Sequence, residues 1–367
     1  MNKEKIFIIA GEDSGDLHGA SLISEIKKIN PKAQFFGVGG NRMQKEGLVL
    51  TQHIKKLNII GFFEVLKHYR RIKKIFNETL LEIKKINPNK IILIDYPGFN
   101  LRMAKKLHGL NFDITYFILP QVWAWKESRI KTLTRYCTRL ISIIPFEKKW
   151  FKKRGVKVHY AGHPLSILSK KKYNPEHFRL SYNIPKKNKI IALLPGSRKS
   201  EVEKNWKIFS ETIKILKSKT KNLTFLLIEG QNVSIHCESN IIKIKNNQYE
   251  AIKSSNAAIV CSGTATLETA MLKCPMVVCY KTSYASWVLV KILSRVKFIS
   301  LVNLIAEEKV VAECVQKNMN AKNLSNEIIS LLDTKKSEAV KEKYEQIIKT
   351  LKTKHNPYKE AAKNIYA

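Results

Sequence analysis

The pattern Asp-x-Asp occurs nowhere in this 367-residue chain, and only five aspartates do: Asp13, Asp16, Asp95, Asp113 and Asp333. A divalent cation that bridges a diphosphate usually leans on such carboxylates. We therefore expect no metal here, and no organic cofactor. Cysteine is equally sparse. The six are scattered without a C-x-x-C pair. That excludes a disulfide framework and a zinc site and leaves buried thiols. Long hydrophobic runs are missing too. No stretch of about 18 apolar residues exists to span a bilayer. The opening "MNKEKIFIIAGEDSGD" has an apolar run too short for a signal peptide and passes straight into glycine and acids. We expect a cytoplasmic protein.

Acids are in deficit overall: 30 Asp+Glu face 66 Lys+Arg, a net charge of +36. Such an excess attracts nucleic acid, anionic lipid or an anionic substrate. Lysines are spread over every surface helix, and Ile and Asn are abundant as well. Composition bias takes the larger share of the explanation. A basic RNA-binding protein should carry a recognisable RNA module with exposed aromatics. None is present, so nucleic acid is not an expected partner.

What is there is an α/β rhythm. The hydrophobic fraction of 44% supports real cores, and the length suits about two domains. Apolar runs alternate with amphipathic segments, the pattern of parallel sheets. The first half reads as strands at "KIFIIA", "AQFFGV", "KIILID", "ITYFIL", "RLISII" and "VKVHYA". "GHPLSILSKKKYNPEHFRLSYNIPKKN" breaks the rhythm and is the linker. The second half restarts with "KIIALLP", "LTFLLIEG", "NIIKI", "NAAIVC" and "PMVVCY". We expect two Rossmann-like parallel-sheet domains, 1–163 and 164–339, facing a cleft. The last helical stretch, about 340–367, would pack back on the first. Ligands in such sheets sit beyond the carboxyl ends of the strands.

The chemistry-bearing motifs lie there. "CSGTATLE" places Ser262, Gly263, Thr264 and Thr266 between a strand and a helix. Their backbone N–H groups, at the positive end of the helix dipole, suit a phosphate. "LLPGSRKSE" puts Arg198 after a Pro-Gly-Ser turn, where it suits a diphosphate. "AGEDSGD" resembles a nucleotide loop but lacks G-x-G-x-x-G. Its Glu12, Asp13 and Asp16 would repel phosphate; they suit sugar hydroxyls, while Asp13 or Ser14 could equally cap the helix. Asp95 ends the buried strand "KIILID". A charge there is costly unless used or paired, and it can take a proton from an attacking hydroxyl.

Other signals carry less. In "PQVWAWKESR", Trp123 and Trp125 alternate, so one of them can face a cleft or a partner. His159 and His163 stand at i, i+4, but a strand and Gly162 separate them, which argues against a metal pair. His163, in a Gly-His-Pro hinge, could touch the cleft. The segment "IGFFEVLKHYRRIKKIF" spaces Phe62, Phe63, Leu66, Tyr69, Ile72 and Phe76 helically among cations. It suits either an anionic membrane surface or an ordinary core-facing helix.

Taken together, "AGEDSGD", "GVGGNRMQKEG", "GFFEVL", "IDYPGFN", "PQVWAW", "PFEKKWF", "GHPL", "LLPGSRKSEVE", "SGTATLE", "PMVVCYK" and "SLVNLIA" resemble the lipid-A-disaccharide synthases, collinearly from about Ile8 to Gln316. Two positions depart from the family pattern: Gly98 stands for an Asp, and Val302 for a Pro. The resemblance implies a GT-B glycosyltransferase. It would condense UDP-2,3-diacylglucosamine with 2,3-diacylglucosamine 1-phosphate, with inversion, to a disaccharide 1-phosphate and UDP. It implies Asp95 or Glu12 as base. Arg198, Ser262, Gly263, Thr264, Thr266, Glu268 and Asn303 would hold the UDP-sugar, with Glu268 on the ribose. Asp13, Ser14, Gln121, Trp123 and His163 would line the acceptor side. Phe62, Phe63, Leu66 and Tyr69 would touch the cytoplasmic face of the inner membrane. A homodimer stays open. A UDP-sugar 2-epimerase, with a similar fold and UDP site, is the rival reading.

Overall fold

A computed structural model describes residues 3–57, 69–197, 199–230, 234–283, 287 and 296–367. The chain packs as two compact units. One runs up to Pro164 and includes Thr353–Ala367; the other is Leu165–Lys352.

The first unit is built on a seven-stranded sheet. Its strands are β1 (Lys5–Ala10), β2 (Gln34–Gly39), β3 (Leu48–His53), β4 (Lys90–Ile94), β5 (Asp113–Phe117), β6 (Arg139–Ser142) and β7 (His159–Tyr160), in the order β3-β2-β1-β4-β5-β6-β7. Every pairing is parallel, with Phe7 of β1 between Phe36 of β2 and Ile91 of β4. The central strands are covered on both faces, so their sequences are unbroken apolar runs rather than alternations. Phe7, Ile9, Ile91, Leu93 and Tyr116 are fully buried in one core.

The second unit carries β8 (Lys189–Leu194), β9 (Leu223–Ile228), β10 (Ile241–Ile244), β11 (Ala257–Cys261), β12 (Met276–Tyr280) and β13 (Ala312–Val315). They pair in parallel in the order β10-β9-β8-β11-β12-β13. The strands β3 and β13 escape the apolar-run reading because they lie at sheet edges and mix in polar residues such as Thr51, Gln52 and Glu313.

Helix starts follow local chemistry. Pro97, Pro145, Pro175 and Pro357 each open a helix, where the missing N–H costs nothing and φ is already helical. The C-terminal helical stretch is two helices. Thr334–Leu351 belongs to the second unit, and Pro357–Tyr366 packs against the Asp13–Ile29 helix of the first. Asn356 makes the break by capping the second helix through Tyr358 N–H.

Each sheet has one point where strand order reverses. In the first it lies between β1 and β4, in the second between β8 and β11. Loops leaving neighbouring strands diverge there and open a crevice, the expected place for a ligand.

Candidate active site

The loops after β1 and β4 border the first crevice and touch at its base through Gly11 and Tyr96. Gly11 has no side chain because the Tyr96 ring occupies that space. Glu12 follows as the N-cap of the Asp13–Ile29 helix without a side-chain capping bond. Asp13 and Ser14 are exposed in its first turn. Asp16 is different. It is 3% exposed, and its carboxylate accepts from the backbone N–H of Gly40 at 2.7 Å, Arg42 at 3.0 Å and Met43 at 3.0 Å. It anchors the loop after β2.

Asp95 and Tyr96 both sit in the left-handed region, at φ 44° and 47°. Such conformations cost about 1–3 kcal/mol each and persist only when the surroundings fix them. Asn100 does much of the fixing. It is fully buried and donates to the carbonyls of Ile94 at 3.1 Å and Asp95 at 2.8 Å. The Tyr116 hydroxyl donates to the same Asp95 carbonyl at 2.7 Å. Nothing in the sequence reading singled out Asn100 or Tyr116. The Asp95 carboxyl is pushed up to about 7, first by burial and then by the negative charge of Glu12; the Tyr96 backbone pulls the other way. The two sequence-predicted carboxylates are thus neighbours.

The loop after β5 is turned partly inward. Gln121 is exposed, but Trp123 is 8% exposed and donates its indole N–H to Glu147 at 2.8 Å. Of the alternating pair, Trp125 is the one that meets solvent, at 41% exposure. Trp123 therefore positions the loop from beneath instead of lining an open face. Glu147 also takes a short hydrogen bond from the Ser142 hydroxyl. Burial raises its carboxyl to about 7 against the pull of the Ser142 and Trp123 hydrogen bonds. His163 is buried, and burial followed by the His18 charge lowers it to about 3, so it stays neutral.

The second crevice holds a cavity of ≈ 280 Å³ whose wall includes Ser197, Ser262, Gly263, Thr264 and Glu268. Gly263 at φ 156° makes the turn from β11 into the Thr264–Met271 helix, and open space surrounds its Cα. Thr264 is exposed at the helix N-terminus, where backbone N–H groups have no intrahelical acceptor. The Ser262 hydroxyl donates to the Ile299 carbonyl at 3.1 Å. Glu268 accepts from the Tyr249 hydroxyl at 3.2 Å, and burial raises its carboxyl with that bond opposing.

Two residues expected at the nucleotide serve the frame instead. Thr266 is fully buried and donates its hydroxyl to the Gly263 carbonyl at 2.8 Å. Asn303 is also fully buried. Its amide donates to Val311 O and Glu313 Oε1 and accepts from the N–H groups of Val310 and Val311. With both ends of its amide engaged, it holds the chain ahead of β13. Arg198, Phe62, Phe63 and Leu66 lie outside the described residues, as does the side chain of Tyr69. Further along the basic segment, Phe76 packs edge-on against Phe99 at 5.2 Å, and Ile72 joins the core, while Arg70, Arg71, Lys73 and Lys74 are exposed. Among the described residues no helix is long and apolar enough to cross a membrane, and no three His, Cys, Asp or Glu gather as a metal site. Four of the six cysteines are buried; Cys137 and Cys237 are half-buried.

A family model described as Lipid-A-disaccharide synthetase matches residues 6–366. The chain belongs to this family. The lipid-A-disaccharide synthase of Coxiella burnetii (strain Dugway 5J108-111) is 32% identical over 338 residues, covering 91% of this chain and 90% of the relative. That of Syntrophus aciditrophicus (strain SB) is 34% identical over 342 residues, covering 90% and 89%. The protein is thus a glycosyltransferase of lipid A biosynthesis. Solved structures agree in fold. A kitacinnamycin glycotransferase superposes with a TM-score of 0.65 at 10% identity, covering 100% of this chain and 99% of that one. The UDP-GlcNAc 2-epimerase of Neisseria meningitidis, bound to UDP-GlcNAc, gives 0.59 at 13% identity, covering 99% and 98%. At such identities the likeness speaks for the GT-B architecture alone. Membership of the synthetase family is what separates this chain from the epimerase reading.

Proposed function

We propose that this transferase moves 2,3-diacylglucosamine from UDP to the 6-hydroxyl of 2,3-diacylglucosamine 1-phosphate, with inversion. The supporting observation is Asp95, a carboxylate at a strand-order reversal whose carboxyl sits near pH 7. A base with that affinity is matched to neutral operation. In the reaction, Asp95 takes the hydroxyl proton as the oxygen bonds to the anomeric carbon. The bond from that carbon to the diphosphate breaks, and UDP leaves with the electron pair. Glu12 is the alternative base. The N–H groups at Thr264, together with Arg198, neutralise the leaving diphosphate. Glu268 takes the ribose hydroxyls. Asp13, Ser14, Gln121 and His163 remain on the acceptor side. No divalent cation is required, so excess chelator should leave the rate unchanged.

Both substrates carry acyl chains, so we place the enzyme peripherally on the cytoplasmic face of the inner membrane. The Phe62, Phe63, Leu66 and Tyr69 stretch would insert, with cations beside it each contributing about 1 kcal/mol on an anionic leaflet. The Phe62→Ser, Phe63→Ser variant should sediment less with anionic vesicles; equal sedimentation would eliminate this anchor.

The deciding experiment measures UDP release. Release should require both acyl sugars together. Conversion of the UDP-sugar without acceptor, or retention on nucleic acid in moderate salt with no UDP release, would refute the reading.

A further inference from the structure

The second unit holds another cavity, of ≈ 350 Å³, away from the strand-order reversal. Its wall carries five lysines, Lys171, Lys253, Lys273, Lys349 and Lys352, against one carboxylate, Glu345. Its floor is apolar, with Leu168, Met271, Leu272 and Ile348. Lysine is common throughout this chain, so number alone decides little. The arrangement says more.

Two of the five cations are engaged. Lys253 donates to the Leu272 carbonyl at 3.2 Å, and Lys273 pairs with Glu345 at 2.5 Å. The side-chain ammonium groups of Lys171, Lys349 and Lys352 have no hydrogen-bond or ion-pair partner among the described residues, although the Lys349 charge is felt by Glu345 on the same wall. Lys273 stands at φ 57°, just past the end of the Thr264–Met271 helix. That position favours glycine, which adopts it without strain. A lysine there keeps a cation on the wall at a conformational cost. The crowding is felt inside the wall: burial, and next the Lys273 charge, hold the Lys253 ammonium below its usual range.

We propose that this cavity is a second anion site, which takes a phosphate monoester and is separate from the nucleotide cavity. Three unpartnered ammonium groups can each give a charge-assisted hydrogen bond to phosphate oxygens. The apolar floor accommodates a short hydrocarbon portion. Two sources share this chemistry, free phosphate and the headgroup of a phosphatidic-acid-type lipid, and the test separates them.

The full-length enzyme is compared as wild type, as K171Q/K349Q/K352Q, and as K84Q/K85Q/K106Q. The last removes three exposed lysines from the first unit and matches the charge change. Inorganic phosphate is titrated calorimetrically with UDP present to fill the nucleotide cavity. Co-sedimentation with vesicles of phosphatidylcholine, with and without phosphatidic acid, is the second arm. The cavity variant should lose about tenfold or more in affinity in at least one arm, while the charge-matched variant stays within about twofold of wild type. Loss in the phosphate arm identifies a soluble ligand, and loss confined to phosphatidic acid identifies the lipid. Equal binding by all three proteins, or an equal fall in both variants, overturns the proposal. Unchanged melting temperature in the cavity variant separates lost binding from lost folding.

Discussion

The ring of Tyr96 lies in the space that a side chain at Gly11 would need. This one contact joins the loop after β1 to the loop after β4 and so sets Glu12 beside Asp95. A methyl at position 11 would drive the ring away. Gly11→Ala should cost about 1–3 kcal/mol by overpacking and lower kcat by displacing Asp95. Gly98→Asp is the contrast, because open space surrounds Gly98 at the helix start. An acid in the first turn also complements the helix dipole. Melting curves and kcat for both variants check this. An inactive but fully stable Gly98→Asp enzyme, beside a normal Gly11→Ala one, would reverse the assignment.

The coupling of Asp95 and Glu12 predicts a pH signature. As base, Asp95 works only when deprotonated. Activity should be low in acid, rise through about pH 7 and level off above it. Glu12→Gln removes a charge that raises Asp95, so the acid limb should move to lower pH. Burial remains, so the limb should stay above the ordinary aspartate range. Asp95→Asn should lower kcat by about 10²–10⁴-fold with UDP binding near normal. If Asp95→Asn keeps its kcat while Glu12→Gln loses it, Glu12 is the base.

At the nucleotide cavity, Arg198→Ala should weaken transition-state stabilisation by about 1.5–3 kcal/mol, read in kcat/KM. Glu268→Gln should mainly raise the donor KM. Glu268 lines the cavity and, among the described residues, is tied to Tyr249 rather than to a cation. In the role proposed for it, Glu268 accepts hydroxyl hydrogens, which affects binding before chemistry. A fall in kcat alone would place Glu268 at the reacting centre.

The central strands were readable because burial on both faces leaves unbroken apolar runs. Edge strands β3 and β13 carry polar residues and leave no such trace. Glu12, Asp95, Ser262 and Thr264 stand out as candidates because they follow the apolar runs of β1, β4 and β11, the strands beside the reversals of order. The resemblance implies Thr266 and Asn303 at the nucleotide, yet a hydroxyl or amide near a loop looks the same in sequence whether it meets a ligand or its own backbone. Only the fold shows which way each turns. Asn100 closes the "IDYPGFN" motif, but nothing in that motif shows what its side chain meets. Its partners are carbonyls that the backbone places. Glu147 sits in the lysine-rich "PFEKKWF" and reads as a surface acid: Trp123 is 24 residues away, and Ser142, five residues away, lies in the preceding strand.

Glu147 supplies the last test, on stability. Its carboxyl titrates near 7 in the folded protein and near 4.5 when unfolded. Below pH 4.5 both states hold the proton, and the group has no net effect relative to that reference. Between 4.5 and 7 the unfolded chain ionises while the folded protein does not, so unfolding becomes progressively easier. Above 7 both are ionised and the loss is complete. Asp95 acts in the same direction from about 3.8 to about 7. Glu147→Gln cannot ionise but can still accept the Trp123 N–H. Its melting temperature should therefore fall less than that of the wild type as pH rises from 4.5 to 7. Glu147→Ala should lose stability at every pH, because Trp123 and Ser142 would then lack their partner. A wild-type pH slope in Glu147→Gln would show that Glu147 is already ionised in the folded protein, and that Trp123 and Ser142 bond to a carboxylate.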